Sequence, residues 1–539
     1  MRKSIPFIIL ALISFIVGCA NISTPQGGPE DETPPVLLSS VPEQGQTNYQ
    51  GQSIFLTFDE WVNTKNIETD IIITPRVTGS FKTRVKKNTV ELSFFEPFRE
   101  NTTYSVGFGS TIQDITNNNP AQNLNLSFST GAYIDSLTIS GNVKTLLDQE
   151  PAEDALVALY FANDSTDILN GVASYFSITD TLGNYKFVNL PAGDYRLYAT
   201  NDKNNNNKAD SKDEKYGFYP DTLQLNSNLE GINLTIQNLN TTELRKLSSR
   251  HFGAYYDITF NKQLTDFQLV NNENLSFQPV GDDKIRFYRN GRNYGDTLNL
   301  IYQATDSLEY VLQDTVKLYF TDSKVEKADF TISTVPNRSQ ALPGDTLVFE
   351  FSKPLTDYNL DSINITIDST QTIDLNSDAF KFNQYRTELN TGITLTELLT
   401  RQNPQMNIYT GRGAFISADG DSSKVIEKAY NFTESSETAS ITGKVTTDAP
   451  NIIVQLLSAS NKAVVRESYS KDFSFQYLPA GRYMVRVIDD RNGNRKLDIG
   501  NMLTQELPED IHYYFDSYYQ TKVIEVRKNW ENTDTNISF

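Results

Sequence analysis

The sequence predicts an all-β protein made of tandem β-sandwich domains. Aromatic residues are abundant, with 28 Tyr and 31 Phe in 539 residues against 4 Met, and aromatic side chains favour strands. Short segments of alternating polar and apolar residues are separated by turn-forming Asn, Pro and Gly, which is typical of half-buried strands. The third observation is an ungapped repeat, in which residues 187–210 are matched by residues 475–498. A chain of this length needs several domains, because single cores stop growing beyond about 250–300 residues.

The first 33 residues predict an exported and lipid-anchored chain. Residues 1–18 join a short basic start to an apolar run, which is the layout of a secretory signal peptide. The run ends in I-V-G-C, which resembles the lipobox of bacterial lipoproteins. The resemblance implies lipidation of Cys19 and a membrane partner, although a stray cysteine is the alternative. Cys19 is the only cysteine, so disulfides and Cys-based metal sites are excluded, and residues 19–33 predict a flexible, Pro-rich and acidic tether.

Composition indicates a compartment and excludes one class of partner. The formal net charge is −20 and the sequence pI is about 4.7. Nucleic acid is excluded as a partner, because phosphate contacts need clustered Lys and Arg. An acidic, solvated surface and a lipobox together predict an outer membrane lipoprotein of the cell envelope, facing either the periplasm or the cell surface.

Residues 34–131 predict the first domain, called module 1 below. Its short strands, separated by turn signals, favour a β-sandwich. The segments T-P-P, I-F-L-T-F-D-E, N-T-T-Y-S-V and F-S-T-G follow one another in this order. They resemble the bacterial Ig-like domain first named from an S-layer protein. The resemblance implies a structural spacer domain without catalytic residues.

Residues 136–238 and 437–539 predict a duplicated domain, called module 2 and module 5. Both contain a G-x-V strand and a hairpin with an L-P-A-G turn. The pattern is similar to the transthyretin-like sandwich of carboxypeptidase regulatory domains, which implies a stabilising accessory domain. Between the G-x-V strand and the L-P-A-G turn, module 5 has fewer residues than module 2, and we expect the missing ones to correspond to part of the loop at residues 163–177 and the D-T-L-G-N hairpin of module 2. Residues 521–530 predict a closing core strand that ends at Trp530.

Residues 241–328 and 329–436 lie between the two copies and are called module 3 and module 4. L-V-F-E-F-S-K-P-L in module 4 and D-I-T-F-N-K-Q-L in module 3 have the shape of I-F-L-T-F-D-E-W-V in module 1. Module 4 therefore resembles a second Ig-like domain, and module 3 predicts a divergent β-sandwich. Residues 395–402 are the one fair helix candidate. The whole chain resembles the large Ig-like-domain lipoproteins of Gram-negative bacteria.

An Asp/Asn-rich loop follows the shared hairpin in both copies and has the spacing of a metal site. Alternate oxygen ligands along a curled loop are how an EF-hand loop wraps calcium, so both loops predict a Ca²⁺ site. The departures from the EF-hand pattern are Asn207 and Arg495 in place of Gly, and Asn501 in place of a late carboxylate. The alternative is a loop whose side chains cap its own backbone. The candidate ligands are Asp202, Asn204, Asn206, Lys208 (by its carbonyl oxygen), Asp210 and Asp213 (or Glu214) in the first loop, and Asp490, Asn492, Asn494, Lys496 (by its carbonyl oxygen) and Asp498 in the second.

Catalytic residues are not predicted anywhere, so we expect that the protein is not an enzyme. His251 and His512 lack the neighbours of a catalytic triad. Asp59 and Glu60 point to opposite faces of one strand and cannot converge on one glycosidic bond. D-[ST]-apolar triplets, as at residues 135–137, resemble an O-glycosylation acceptor of Gram-negative periplasmic proteins, and they fit ordinary strand starts equally well.

The predicted function is structural or adhesive. A lipid-anchored string of rigid domains would act as a spacer or scaffold in the envelope. The alternative is a glycan- or protein-binding lipoprotein subunit of an envelope complex. An exposed cluster of Tyr or Trp on one sandwich face would favour that alternative.

Overall fold

The fold is all-β, as predicted: strands make up 50% of the protein and helices 2%. The predicted signal peptide, Cys19, most of the tether and the helix candidate at residues 395–402 lie outside the described residues. Within the described ranges, no helix has the length and apolar character needed to span a membrane. The computed structural model describes residues 31–210, 213–238, 242–271, 275–291, 296–322, 327–367, 371–373, 375, 377–394, 405–502 and 504–539.

Module 1 has two sheets around one core. Its elements are β1 (Leu37–Val41), β2 (Ser53–Phe58), β3 (Val62–Thr64), α1 (Ile67–Asp70), β4 (Ile72–Thr74), β5 (Phe81–Lys86), β6 (Thr89–Phe94), β7 (Thr103–Gly107), β8 (Ile112–Asp114) and β9 (Asn125–Ser129). One sheet has the order β1-β2-β6-β5, the other has the order β4-β7-β9, and β3 pairs with β8. Ile54, Leu56 and Phe58 of β2 are fully buried, because alternate residues of a strand face the same side.

In module 2, the last strand joins two sets of strands into one continuous sheet. Its elements are β10 (Leu137–Thr145), β11 (Leu156–Phe161), β12 (Tyr175–Ile178), β13 (Asn184–Leu190), β14 (Gly193–Thr200), β15 (Lys215–Phe218), β16 (Leu223–Leu225) and β17 (Leu234–Asn238). Strand β17 runs parallel to β10 and antiparallel to β15. The sheet therefore continues in the order β12-β11-β14-β15-β17-β10-β13, with β16 beside β14. It encloses a core that includes Val143, Leu159, Leu197 and Ile236.

Module 3 consists of two sheets with an aromatic core. Its strands are β18 (Lys246–Phe252), β19 (Tyr255–Phe260), β20 (Leu264–Leu269), β21 (Phe277–Pro279), β22 (Lys284–Tyr288), β23 (Thr297–Asp306) and β24 (Val311–Tyr319). The sheet orders are β18-β19-β22-β21 and β20-β23-β24. Phe260, Phe267, Phe287 and Tyr302 are buried between the two sheets, which accounts for the aromatic content of this part of the sequence.

Module 4 also has two main sheets. Its strands are β25 (Ile332–Val335), β26 (Gln340–Ala341), β27 (Thr346–Phe351), β28 (Leu355–Tyr358), β29 (Ile363–Ile367), β30 (Gln371–Thr372), β31 (Lys381–Phe382), β32 (Glu388–Thr394), β33 (Gln405–Thr410), β34 (Phe415–Ser417) and β35 (Ile426–Phe432), with short 3-10 helices at Leu360–Ser362, Ser377–Ala379 and, just after it, Ser435–Glu437. The sheet orders are β25-β27-β32-β31 and β26-β35-β33-β29-β30, and β28 pairs with β34. Phe349, Ile365 and Ile408 lie in the core.

Module 5 repeats the strand pairing of module 2. Its strands are β36 (Ala439–Thr446), β37 (Ile452–Ser458), β38 (Val464–Ser468), β39 (Asp472–Leu478), β40 (Gly481–Asp489), β41 (Ile511–Tyr513), β42 (Ile524–Val526), β43 (Glu531–Asn532) and β44 (Ile537–Ser538). Ile441 faces Phe475 across β36 and β39, as Ile139 faces Phe187 across β10 and β13. Strand β44 runs parallel to β36, as β17 does to β10. The repeated sequence therefore corresponds to a repeated register.

Between its first strand and its L-P-A-G hairpin, module 5 is shorter than module 2 in three connections. Two of them are the expected ones, after β37 and before β39. The third, between the first two strands, was not expected. The connections are residues 162–174 against 459–463, residues 179–183 against 469–471, and residues 146–155 against 447–451.

The predicted closing strand at residues 521–530 is only partly correct. Strand β42 ends at Val526, and Trp530 is 46% exposed rather than part of the core. The backbone N–H of Trp530 donates to the carbonyl oxygen of Arg527 at 3.1 Å, so the chain turns at this point. The last core strand is β44, whose Ile537 is buried.

Module 5 packs against modules 2 and 3, although modules 3 and 4 separate it from module 2 in sequence. On the outer side of the module 2 sheet, Tyr160, Tyr198 and Phe218 form a cluster with Leu308 of module 3 and Met502 of module 5. Strand β11 is therefore buried on both faces. Burial on both faces explains why its sequence is an uninterrupted apolar run.

A second contact joins the β10–β11 connection of module 2 to module 5. Leu146 packs against three buried isoleucines of module 5. Around this apolar contact, Lys462 pairs with Asp148 at 2.5 Å and Lys522 pairs with Glu150 at 2.6 Å. The connection that is shorter in module 5, residues 447–451 against residues 146–155, is thus the one with which module 2 contacts module 5.

Candidate functional site: the two Asp/Asn loops

The same tyrosine fixes the hairpin that precedes each loop. The Tyr195 hydroxyl donates to the Pro191 carbonyl oxygen at 2.8 Å, and the Tyr483 hydroxyl donates to the Pro479 carbonyl oxygen at 3.0 Å. These residues are the Pro and Tyr of the repeated L-P-A-G-x-Y motif. Both rings are buried, so the turn is anchored to the core. The motif therefore sets the direction in which β14 and β40 lead into their loops.

The first loop is organised by carboxylates at its two ends. Asp202 accepts the backbone N–H groups of Asn206 at 3.1 Å and Asn207 at 2.6 Å. Asp210 accepts the side-chain amide groups of Asn204 at 3.1 Å and Asn206 at 2.8 Å. The alternate positions predicted from the sequence are thus brought together in one curled loop.

The second loop repeats this network position by position. Asp490 accepts the backbone N–H groups of Asn494 at 3.0 Å and Arg495 at 3.1 Å. Asp498 accepts the side-chain amide groups of Asn492 at 2.6 Å and Asn494 at 2.9 Å. The two loops therefore have one design, despite the sequence differences between them.

A buried glutamate closes the first loop from outside. Glu214 is fully buried and accepts the backbone N–H groups of Lys203 at 3.1 Å and Asp210 at 3.0 Å. Asp213, the preferred ligand in the sequence analysis, is exposed. The alternative residue at this position, Glu214, is the carboxylate that reaches the loop.

Glu509 has the same role in the second loop, and sequence reasoning missed it. Glu509 is 2% exposed and accepts the backbone N–H groups of Arg491 at 2.9 Å and Asp498 at 3.0 Å. Asn501, which occupies the expected ligand position, instead donates its side-chain amide to the Leu308 carbonyl oxygen of module 3 at 3.0 Å. One sequence signal could have identified Glu509: in both copies, a glutamate lies just before the strand that follows the loop.

The position at which an EF-hand loop requires glycine is strained in the same way in both loops. Asn207 has φ of 60° and Arg495 has φ of 62°. Asn tolerates this left-handed region, whereas Arg does so at a cost. The guanidinium of Arg495 lies 4.8 Å from the Tyr469 ring, and such a contact stabilises a cation by about 0.5–1 kcal/mol. Arg495 therefore does not prevent the second loop from adopting the shared shape.

The hydrogen bonds of both loops fit self-capping without requiring an ion. Within the described part of the chain, no three Asp, Glu, His or Cys side chains are grouped closely enough to hold a metal. Lys208 and Lys496, predicted as carbonyl ligands, donate their own N–H groups to the side-chain oxygens of Asn206 and Asn494 at 2.9 and 2.7 Å. The predicted calcium sites stay predictions, since these carboxylates would have to exchange amide partners for the ion.

Glu509→Ala is expected to destabilise module 5 by about 3–6 kcal/mol, because two backbone N–H groups lose a carboxylate acceptor and a hydrogen bond to a charged group contributes about 1.5–3 kcal/mol. Burial, opposed by these two hydrogen bonds and reinforced by Asp498 and Asp490, raises the pKa of Glu509. Differential scanning calorimetry would measure the change. Glu506→Ala, at an exposed position of the same excursion, is the control. Equal effects of the two substitutions would contradict a closing role for Glu509.

Neither histidine lies in a catalytic arrangement. The exposed His251 packs against the Tyr319 ring, with 4.7 Å between ring centroids. His512 stacks on Phe539 with 3.8 Å between centroids and 4° between ring planes. Both contacts are packing contacts with an aromatic partner.

His512 is expected to make stability depend on pH. Burial lowers the pKa of His512, although Asp510 and Asp489 oppose the shift. The folded chain therefore binds fewer protons than the unfolded chain, and the contribution of His512 is present above about pH 6.5 and is lost as the pH falls. His512→Gln should flatten the melting temperature between about pH 7 and 5 relative to the parent. Parallel slopes for the parent and His512→Gln would refute this assignment.

Modules 3 and 4 each contain a buried ion pair at the lysine of a matching F-x-K segment. The segments are F-N-K at residues 260–262 and F-S-K at residues 351–353. Lys262 pairs with Asp306, and the side chains are 3% and 0% exposed. Lys353 pairs with Asp419 at 2.8 Å, and the side chains are 3% and 1% exposed. Module 1 has Glu60 at the matching position, and burial together with neighbouring carboxylates raises the pKa of Glu60. The charged residue of this segment is therefore one partner of a buried ion pair in modules 3 and 4.

Residues 31–130 match the model of a family described as bacterial Ig-like domain. The predicted resemblance is thereby confirmed for the first part of the chain, and the remaining residues lie outside the match. No curated protein matches the chain.

Several solved structures of surface proteins are similar at low identity. The major pilin subunit of Bacillus cereus is 9% identical with a TM-score of 0.14, over 75% of this chain and 99% of that one. The Bacillus anthracis TIE protein is 9% identical with a TM-score of 0.13, over 98% and 78%. The S-layer protein rSbsC is 11% identical with a TM-score of 0.15, over 85% and 64%. No functional conclusion follows at these scores.

Proposed function

We propose, from the bacterial Ig-like domain at residues 31–130, that this chain is a structural scaffold of the bacterial cell envelope. In this proposal a lipid on Cys19 anchors it to the outer membrane and the folded modules do no chemistry. The observation that carries the proposal is the packing of distant modules on one another. Tyr160 of module 2, Leu308 of module 3 and Met502 of module 5 share one cluster, which favours a closed scaffold over an extended spacer.

Internal support for this role comes from where the charged residues are placed. Lys462 and Lys522 of module 5 pair with Asp148 and Glu150 of module 2 at the rim of an apolar contact. Partly exposed pairs of this kind contribute little stability, about 0–1 kcal/mol each. They select the partner surface, since like charges facing each other would be unfavourable. A scaffold whose modules must keep fixed positions needs such selectivity.

Lipid anchoring is tested by replacing Cys19. The parent, expressed with its first 18 residues, should incorporate a radiolabelled fatty acid and sediment with outer membranes. Cys19→Ala should lose both the label and the membrane association. A Cys19→Ala chain that still fractionates with the outer membrane would remove the anchor from the proposal, and protease added to intact cells would tell a surface-facing chain from a periplasmic one.

Calcium bound by the Asp/Asn loops would stiffen the scaffold. A ligand that binds only the folded state stabilises it by about 2.7 kcal/mol at a hundredfold excess over its Kd. Titration calorimetry of the full chain with CaCl₂ should show two sites, of which Asp202→Ala and Asp490→Ala each remove one. Lys424→Met, at an exposed position of module 4, should keep both. Absence of heat and an unchanged melting temperature would leave both loops as self-capped connections.

The alternative function, glycan or protein binding, gains support from exposed aromatic residues. Tyr518 is 84% exposed and Tyr519 is 73% exposed. Both lie in module 5, near the exposed Trp530. This is the kind of cluster that the sequence analysis set as the condition for a binding role.

A further inference from the structure

Module 5 carries a cleft with aromatic walls. Tyr514, Tyr519 and Trp530 line this cleft of about 670 Å³. Tyr519 is 73% exposed and Trp530 is 46% exposed. Tyrosine and tryptophan normally contribute large buried areas to a core, so rings left open to solvent around one concavity indicate a binding surface.

The loop that carries Tyr519 is held in place before any ligand arrives. Asp516 and Thr521 exchange two backbone hydrogen bonds, at 2.8 and 3.3 Å. The Asp516 carboxylate also accepts the backbone N–H groups of Tyr518 at 2.9 Å and Tyr519 at 3.0 Å. Because the backbone that carries Tyr519 is already ordered, binding costs less conformational entropy than it would in a mobile loop.

Trp530 is held by a cation–π contact. The guanidinium of Arg527 lies 5.1 Å from the Trp530 ring. This contact orients the ring while nearly half of its surface stays open. The cleft is therefore lined by two solvent-exposed aromatic rings, Tyr519 and Trp530.

The polar side chains that line the cleft include more carboxylates than guanidinium groups. Asp516, Asp534 and two glutamates face Arg482 and Arg527 in the same cleft. Burial, reinforced by the carboxylates of Asp516 and Asp534, raises the pKa of Tyr514. An excess of carboxylates over guanidinium groups repels anionic ligands, so phosphates and acidic sugars are disfavoured.

We propose that this cleft binds a neutral glycan chain. A sugar ring presents an apolar C–H face that stacks on Trp530 and Tyr519, and its adjacent hydroxyl pairs match the paired atoms of the Asp516 and Asp534 carboxylates and the Arg482 guanidinium. A peptide anchor residue, in contrast, is fully desolvated in a closed pocket, whereas these rings stand on open walls. This proposal rests on the alternative binding function above and narrows its ligand to a neutral glycan; it does not depend on the lipid anchor or on calcium.

The two tryptophans of the chain allow a direct test. Trp61→Phe, on module 1, leaves Trp530 as the only tryptophan and thus as a fluorescent reporter of the cleft. The full chain with this substitution is titrated with cellohexaose, maltohexaose and mannohexaose, up to about 10 mM because single-site affinities near 1 mM correspond to about −4 kcal/mol. We expect at least one of these sugars to shift the Trp530 emission and to saturate.

Matched variants assign the binding to the cleft. Trp530→Ala and Tyr519→Ala should weaken the affinity, measured by calorimetry, at least about tenfold, and Trp61→Ala should leave it unchanged. Unaltered melting temperatures would show that all three variants are folded, and Trp530→Leu or Tyr519→Leu, which removes the ring but keeps an apolar side chain, replaces a cleft variant that is not. The proposal is overturned if none of the three sugars binds, if Trp530→Ala binds as well as the parent, or if only a cationic peptide such as hexalysine binds.

Discussion

Gly141→Ala is expected to destabilise module 2 by at least about 3 kcal/mol, because overpacking against fixed atoms forces the backbone to move. A Cβ at Gly141 would lie 1.9 Å from the Ile232 carbonyl oxygen. That oxygen cannot retreat easily, since it accepts the Tyr185 hydroxyl at 2.6 Å and the Ile232 N–H donates to the Ser140 carbonyl oxygen at 3.1 Å. Calorimetry of the full chain, with hydrogen exchange to assign the transition to β10 and β17, measures the loss.

The duplicated domain provides a second copy of the experiment. Gly443 is the equivalent glycine of module 5, and its Cβ would lie 2.0 Å from the Thr535 carbonyl oxygen. Gly443→Ala should therefore destabilise module 5 while leaving module 2 unaffected. The control is Gly193→Ala in module 2, where the nearest atom, of Tyr195, is 3.8 Å away, so stability should change by less than about 1 kcal/mol. A Gly141→Ala effect no larger than that of the control would contradict the close approach of the two backbones.

Lys353→Met is expected to destabilise module 4 by about 3–5 kcal/mol, because removing one partner of a buried pair leaves an uncompensated charge. Burial disfavours the Lys353 ammonium, but hydrogen bonds to Asp419 at 2.8 Å and Asp421 at 2.5 Å outweigh it and raise its pKa to about 12. Asp419 also accepts the Ser417 hydroxyl at 2.5 Å and the Tyr255 hydroxyl of module 3 at 3.3 Å. The loss of stability, measured by urea unfolding, should therefore reach the contact with module 3.

Two further variants distinguish the buried charge from a general effect of losing a lysine. Lys424 pairs with Asp329 at 3.2 Å, but their side chains are 82% and 74% exposed. Lys424→Met should change the unfolding free energy by at most about 0.5 kcal/mol. Adding Asp419→Ala to Lys353→Met should restore part of the loss, since the unpaired carboxylate is then removed. Similar effects of Lys353→Met and Lys424→Met would show that the pair is not desolvated.

Much of the fold was predictable because it depends on local patterns. Ile54, Leu56 and Phe58 alternate along β2, and the L-P-A-G-x-Y motif marks the same hairpin twice. The duplicated register, with Ile139 and Ile441 in equivalent pairs, follows from the repeat alone. The spacing of both Asp/Asn loops also predicted which of their side chains come together.

The parts that sequence reasoning missed depend on distant residues. Glu509 contacts its loop although residues 499–508 separate the two, and a fixed ligand spacing does not predict such a contact. Asn501 donates instead to Leu308 of module 3. Trp530 was assigned to the core on residue type, whereas a turn exposes it. Strands β11 and β37 lack a polar/apolar alternation, and both are buried on both faces, which is a signal in the sequence for burial on both sides.

The packing of module 5 on module 2 has a consequence for the order of biogenesis. A chain emerges from the ribosome and the export channel with its N-terminus first, and domains generally fold as they appear. Tyr160, Tyr198 and Phe218 are therefore complete as a surface long before Leu308 and then Met502 arrive to cover them. During that interval the outer side of the module 2 sheet is an open aromatic patch, which is expected to make late truncations aggregate. In the proposed export to the envelope, the half-translocated chain is then expected to be a client of export chaperones.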